Sequence, residues 1–236
     1  MKSIYIYNNL GVSEESLKQT LGMFESFLGN YQIKIISEIT AEDWILDAAL
    51  LVMPGGADIP YTRKLNGLGN AIINNYINAG GKYLGICAGA YYGTSAIEFG
   101  VGTKFEVVGR RELKLFNGKA IGPVFGRYSD LDNSGAIPAQ ITVDGIDNFP
   151  VFFNGGCYFS TGDCCVIATY SELNLSSIIS IKNNRVILSG VHFEYNPSIL
   201  DCTDKYLSEI AEKLLPFENQ RIKLVKYILK LLDLIH

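Results

Sequence analysis

Gly85-Ile86-Cys87-Ala88-Gly89 puts a cysteine where a nucleophile would stand. The run Lys82–Ile86 reads as a short buried strand and Ala88–Glu98 as a packed helix. A chain that turns from strand to helix through Gly-x-Cys-x-Gly makes a nucleophile elbow, with sulfur in place of a serine hydroxyl. The turn is tight, and glycines on either side remove the Cβ atoms that would clash. The Ala88 N–H then points toward the place where an oxyanion would form. A glycine-flanked buried cysteine can equally be a small hydrophobe, so the thiol needs a base before it means chemistry.

Composition narrows the search for that base. The chain has two histidines, His192 and the last residue, His236. His192 follows the apolar run Val186-Ile187-Leu188, in Ser189-Gly190-Val191-His192-Phe193-Glu194. In extended backbone, residues two apart project from one face, so His192 and Glu194 can lie side by side. That suits a carboxylate that orients an imidazole and stabilises its charged form. The blander alternative is a core histidine beside a surface glutamate.

Gly-x-Cys-x-Gly followed late in the chain by His-x-Glu resembles the class I glutamine amidotransferase superfamily. The longer strings Pro54-Gly55-Gly56-Ala57-Asp58-Ile59-Pro60-Tyr61 and Leu84–Gly93 are more particular. They resemble the amidotransferase-like domain found at the N-terminus of fungal-type biotin-protein ligases and as free-standing bacterial proteins. Gly109-Arg110-Arg111-Glu112-Leu113 and Phe153-Asn154-Gly155-Gly156 fit the same family. The resemblance implies Cys87 as nucleophile, His192 as base and acid, and Glu194 as its orienter. It also implies that the Gly55-Gly56 loop supplies a second oxyanion-hole N–H, that of Gly56, beside that of Ala88.

Gly55, Asp58, Tyr61, Tyr91, Arg111 and Asn154 are the candidate pocket residues. Arg110 and Arg111 could bind a carboxylate or phosphate by a bidentate fork, or lie on an exposed strand edge. Asp58 and Tyr61 could line the pocket or only fix the loop. The chain departs from the superfamily in one place: glutaminases carry Gln four residues after the cysteine, where this chain has Tyr91. With Tyr92, that residue makes the cleft wall more aromatic and favours a larger or flatter amide. No glycine- and arginine-rich biotinyl-adenylate loop is found.

These residues need a scaffold, and the order of elements predicts a flavodoxin-like α/β fold: a doubly wound, mostly parallel sheet with a smaller antiparallel β region and C-terminal helices. Ser3–Tyr7, Gln32–Ile36 and Ala49–Met53 read as strands, the last continuously apolar as buried strands tend to be. Ser13 is a favourable N-cap for a helix carrying Leu17, Leu21, Phe24 and Leu28 at helical spacing. A short helix is expected around Glu42–Leu46 and a longer one near Gly69–Ala79. Val107–Leu115, Ala139–Val143 and Val151–Phe153 read as antiparallel strands. Ser177–Lys182 and Arg185–Ser189 flank Asn183-Asn184, a hairpin signal, and the second arm delivers His192. Thr203–Leu215 and Glu218–Ile235, split at Pro216, have helical periodicity. Lys223, Lys226 and Lys230 give the second helix a basic face, suited to a membrane surface or a partner, or to solvent on a docked helix. The expected organisation is one domain over 1–236, with 203–236 as a helical extension.

At 236 residues the chain can bury a substantial core. Charged residues make up 19% and apolar residues 48%, which favours a buried sheet over a disordered chain. A net charge of −4 gives no general attraction for nucleic acid. No apolar stretch reaches the ~18 residues of a membrane span, and no signal peptide is evident. Five cysteines, at 87, 157, 164, 165 and 202, form no metal spacing, and the odd count argues against a disulfide framework. The expectation is a cytoplasmic protein without metal or cofactor, acting on a small-molecule amide or acyl substrate, with a protein partner possible. The alternatives are a non-catalytic ligand-binding or regulatory module, and a redox-sensing or glyoxalase-like cysteine protein.

Overall fold

In the computed structural model, which describes residues 1–236, the central strands divide their side chains between two cores. The first elements are β1 (Ser3–Tyr7), α1 (Glu14–Phe27), β2 (Gln32–Ile36), β3 (Ala48–Met53), α2 (Asp58–Leu65) and α3 (Leu68–Asn78). Next come β4 (Tyr83–Ile86), α4 (Ala88–Tyr92), β5 (Thr94–Phe99), β6 (Val107–Arg110), β7 (Phe116–Gly122), β8 (Ile137–Val143) and β9 (Ile146–Phe153). The chain ends with β10 (Tyr158–Phe159), β11 (Cys165–Tyr170), β12 (Leu175–Ile181), β13 (Val186–Ser189), α5 (Lys205–Leu214) and α6 (Glu218–Leu231).

Nine strands form the main sheet in the order β2-β1-β3-β4-β13-β12-β11-β8-β9. The first five run parallel and the remaining pairings are antiparallel. In β1, Ile4 and Ile6 face one core while Tyr5 and Tyr7 face the other, the period-2 alternation of a sheet covered on both sides. Met23 and Phe24 of α1 and Leu224, Val225, Ile228 and Leu229 of α6 close the first core. Full burial of such side chains stabilises by about 1.5–3 kcal/mol each. The lysines of α6 lie on its exposed face, so this helix docks on the sheet. Helices α2, α3 and α4 cover the opposite core.

A second sheet, β10-β7-β5-β6, stands beside the end of β4. The expected helix Ala88–Glu98 ends at Tyr92, because Thr94–Phe99 pairs with β6 and β7 instead. The expected strand Val107–Leu115 likewise stops at Arg110, and residues 111–115 instead latch onto α2 and α3. Glu112 Oε2 accepts from Gly67 N–H and Asn70 Nδ2, both at 2.7 Å, and those bonds hold its carboxyl below the usual range. Leu113 O accepts from Asn74 Nδ2 at 3.3 Å. The Asn183-Asn184 hairpin forms as expected, with Lys182, Asn183 and Asn184 all at positive φ. No helix is long and apolar enough to cross a membrane.

Candidate active site

Three adjacent parallel strands, β3, β4 and β13, end at one point, the carboxyl edge where open α/β sheets hold their sites. From β3 comes the Gly55-Gly56 loop, from β4 Cys87, and from β13 His192. Cys87 has φ 49° and ψ −106°, a sparsely populated conformation for a residue with a side chain. Its N–H donates to Ser189 O at 2.8 Å, which pins the turn to β13. The flanking glycines are required by close approach. A Cβ on Gly89 would lie 2.0 Å from Met53 O, and one on Gly85 2.4 Å from Gly89 O.

His192 is almost fully buried, and its Nδ1 meets Glu194 Oε1 at 2.7 Å. The expectation of neighbouring side chains at 192 and 194 therefore holds, although this segment lies in the loop after β13 and only His192 bridges to Phe152. The glutamate is 1% exposed, which removes the reading of a surface carboxylate. Burial lowers the imidazole pKa, but the Glu194 charge, the neighbouring Cys87 and the hydrogen bond to Glu194 offset this and raise it to about 10. The imidazole and the Cys87 side chain flank Gly55: a Cβ there would lie 2.6 Å from His192 Cε1 and 3.4 Å from Cys87 Cβ. The Cys87 thiol donates to Asn154 O at 3.7 Å.

Gly56 adopts φ 143°, and a Cβ there would sit 1.9 Å from Gly11 O, so only glycine fits. The loop is clamped by two backbone bonds from the β1–α1 connection, Ser13 N–H to Gly55 O at 3.0 Å and Ala57 N–H to Gly11 O at 2.8 Å. Neither bond uses the Gly56 N–H. The Ala88 N–H opens α4 and so has no acceptor within the helix. Gly56, Cys87 and Ala88 all line one cavity of about 350 Å3.

Asp58, Tyr91 and Asn154 also line that cavity, as expected. Three other candidates do not. Tyr61 is fully buried, and its hydroxyl donates to Pro54 O at 3.1 Å and Gly55 O at 3.4 Å, so it braces the loop from below. Gly55 lies behind Gly56, against His192. Arg111 is 4% exposed, and its guanidinium is engaged by Asp58 Oδ2 at 2.5 Å and Arg110 O at 3.0 Å. Its Nη2 has no partner, but the group is buried outside the cavity lining, so it is neither an accessible fork for an anion nor an exposed strand edge; Arg110 alone is exposed. Tyr92 is also no cleft residue: it is buried and bonds to Asn70.

Two features were not read from the sequence. Phe99, Phe105 and Tyr128 join Tyr91 in a chain of edge-to-face rings along one cavity wall. Ser16 of α1 is buried, and its Oγ accepts the Gly55 N–H at 2.8 Å. Ser16→Ala would orphan that buried donor, at an expected cost of about 1–3 kcal/mol. Chemical denaturation should show that loss, and an unchanged midpoint would contradict the role. No group of three or more His, Cys, Asp or Glu side chains is placed to hold a metal ion.

A family model described as "Biotin-protein ligase, N terminal" matches residues 2–236. The chain is 34% identical, over 97% of its length, to an uncharacterised protein of Chlamydia muridarum (strain MoPn / Nigg), of which it covers 96%. It is also 34% identical, over 98% of its length, to the biotin–protein ligase of Schizosaccharomyces pombe (strain 972 / ATCC 24843), but spans 38% of that protein. In fold it is similar to a solved glutamine amidotransferase, with a TM-score of 0.62 at 16% identity, covering 97% of this chain and 98% of that one.

Proposed function

The chain belongs to the biotin-protein ligase N-terminal family, and from that premise we propose that it is an amidotransferase- or hydrolase-like enzyme in which Cys87 attacks an amide or related acyl carbon. The observation that carries this reading is the meeting of a strained cysteine turn with a buried His192–Glu194 pair across Gly55. Cys87 is the nucleophile, His192 the base and acid, and Glu194 its orienter.

Glu194 Oε1 accepts the Nδ1 proton, which leaves Nε2 free to take the proton from Cys87 Sγ. The raised basicity of the imidazole favours that transfer and holds the proton on Nε2 until the leaving amine takes it. As the S–C bond forms, the carbonyl π electrons move onto oxygen, where the Gly56 and Ala88 N–H groups stabilise the charge. Collapse of this intermediate breaks the C–N bond, and the departing amine takes the proton from His192. The thioester that remains is cleaved by water, which gives its proton to His192 as it attacks. The thiolate leaves, recovers the proton, and a carboxylic acid is released.

Iodoacetamide labelling at about pH 6 tests the nucleophile. Cys87 is 6% exposed, whereas Cys165 and Cys202 are exposed. Access alone would therefore favour the surface thiols, and burial pushes the Cys157 and Cys164 thiols up. Activation by the imidazole should reverse the order and label Cys87 first. Labelling of Cys165 or Cys202 ahead of Cys87 would overturn the reading. That result would favour the second reading, a ligand-binding module of the same fold, which the thiol's bond to Asn154 O rather than to the imidazole supports.

A further inference from the structure

We propose that the cavity in front of Cys87 takes a planar aromatic carboxamide carrying no negative charge. This inference names the substrate class of the site described above and rests on Cys87 as the nucleophile. One wall of the cavity is a run of rings in edge-to-face contact. The centroid distances are 5.7 Å for Tyr91–Phe99, 5.1 Å for Phe99–Tyr128 and 5.0 Å for Phe105–Tyr128. Ile97 and Val107 extend the apolar surface. Ring edges and faces fixed against one another offer a flat ligand stacking and edge contacts that a flexible aliphatic chain cannot use. At about 350 Å3 the cavity is at the small end of ligand sites, the size for one ring system with its amide.

Charge decides the rest. The acidic lining residues are Asp58, Glu106 and Asp130, against a single lining cation, Lys104. Arg111 neutralises Asp58 from behind through Nε; its Nη2 has no partner but is buried, and the residue does not line the cavity. Lys104 Nζ lies over the Phe105 ring, 4.7 Å from its centroid. A ligand carboxylate would thus meet two carboxylates and only an engaged cation, a repulsive arrangement that discriminates against anions. For an amide the cavity is better matched. Asn154 Oδ1 is buried without a protein partner, and an orphaned acceptor is satisfied by an N–H donor, which a carboxamide supplies.

Phe99, Lys104, Phe105 and Tyr128 also line a second hollow of about 300 Å3, so these residues are shared between the two. Removing the Phe99 ring would join the two spaces and admit a longer ring system.

The test is calorimetric titration of the full chain carrying Cys87→Ser, which keeps the pocket and removes turnover. The probes are benzamide, its cationic analogue 4-(aminomethyl)benzamide, its anionic analogue 4-carbamoylbenzoate, 2-naphthamide and glutamine. Benzamide and the cation should bind, with the anion and glutamine at least about tenfold weaker. Phe99→Ala should weaken benzamide by about threefold to tenfold and raise the naphthamide-to-benzamide affinity ratio by at least about fivefold. A general loss of structure would lower both affinities without raising that ratio. If Phe99→Ala does not fold, Tyr128→Leu, on a half-buried loop residue, gives the same ratio test. An anion or glutamine bound as tightly as benzamide, no binding of any aromatic amide at millimolar concentration, or an unchanged ratio would overturn the proposal. Because binding is read with the thiol removed, these failures are separate from a failure of Cys87 to react with iodoacetamide.

Discussion

His192→Ala should lower the free energy of unfolding by about 3–5 kcal/mol and, under the proposed mechanism, slow turnover through Cys87 by about 100- to 10,000-fold. The first effect comes from what the substitution leaves behind. Glu194 is 1% exposed, and its Oε2 already lacks a partner. With the imidazole gone, Oε1 loses its 2.7 Å bond as well. An uncompensated buried charge is far more costly than the absence of the pair, so His192→Phe combined with Glu194→Leu should recover most of the stability and none of the activity. The pH dependence has a definite sign. The folded imidazole titrates at about 10, above the ~6.5 of an unfolded histidine. The native state therefore binds the proton more tightly, and its stabilising contribution is complete below about pH 6.5. It is lost as pH rises toward 10. Denaturant midpoints of the wild-type chain should fall across that window, and those of His192→Phe/Glu194→Leu should fall less, retaining only the part due to the buried thiols. A wild-type midpoint that rises from pH 6.5 to 10 would refute the coupling, as would a single variant as stable as the double.

The parts of this site that were legible in the sequence are those held by short-range chemistry. Cys87 was readable because its turn needs glycine at two fixed positions, and the His192–Glu194 contact because the partners are two positions apart. The strands β1, β3 and β13 were readable because full burial on both faces demands continuous apolar runs. What escaped depends on partners distant in sequence. Arg111 looks like a free anion fork until Asp58, 53 positions away, engages it. Ser16 looks like an ordinary first-turn serine until its hydroxyl meets the Gly55 N–H, 39 positions away. Gly93 caps α4, but a single glycine is tolerated inside a helix and Thr94–Phe99 carries no helix-breaking residue of its own, so the stop was not read. That segment becomes a strand because β7, a glycine-containing segment without clear alternation, supplies a parallel partner. The aromatic wall draws rings from β5, the β5–β6 connection and the loop after β7, and no local pattern gathers them.

Glutamine should not be turned over at a useful rate: ammonia release by the isolated chain is expected about 10,000-fold or more below that from an amide the cavity fits. Superfamily glutaminases carry a primary amide four residues after the cysteine, and here Tyr91 stands in that place. Its ring is 4% exposed, and its hydroxyl donates to Gly155 O at 3.1 Å. A Cβ on Gly122 would fall 2.0 Å from the Tyr91 hydroxyl oxygen, so the phenol is boxed in. It cannot swing to offer the paired donor and acceptor that an amide presents. The α-carboxylate of glutamine would face Glu106 and Asp130, while Arg111 is buried against Asp58 and does not line the cavity. A site built to pair polar groups loses most of its selectivity when those groups are unmatched, because desolvation is then uncompensated. Restoring the side chain alone should not restore the activity. Tyr91→Gln shortens the wall, removes the ring contact with Phe99, and leaves the buried Gly155 O without its donor, at an expected cost of about 1–3 kcal/mol. Its ammonia release from glutamine should therefore stay at background in a coupled assay. A glutamine-mimicking diazoketone should leave Cys87 unmodified in both proteins while iodoacetamide labels it. Stoichiometric capture of Cys87 by the diazoketone, or steady ammonia release from glutamine by the unmodified chain, would show that Tyr91 does not exclude this substrate.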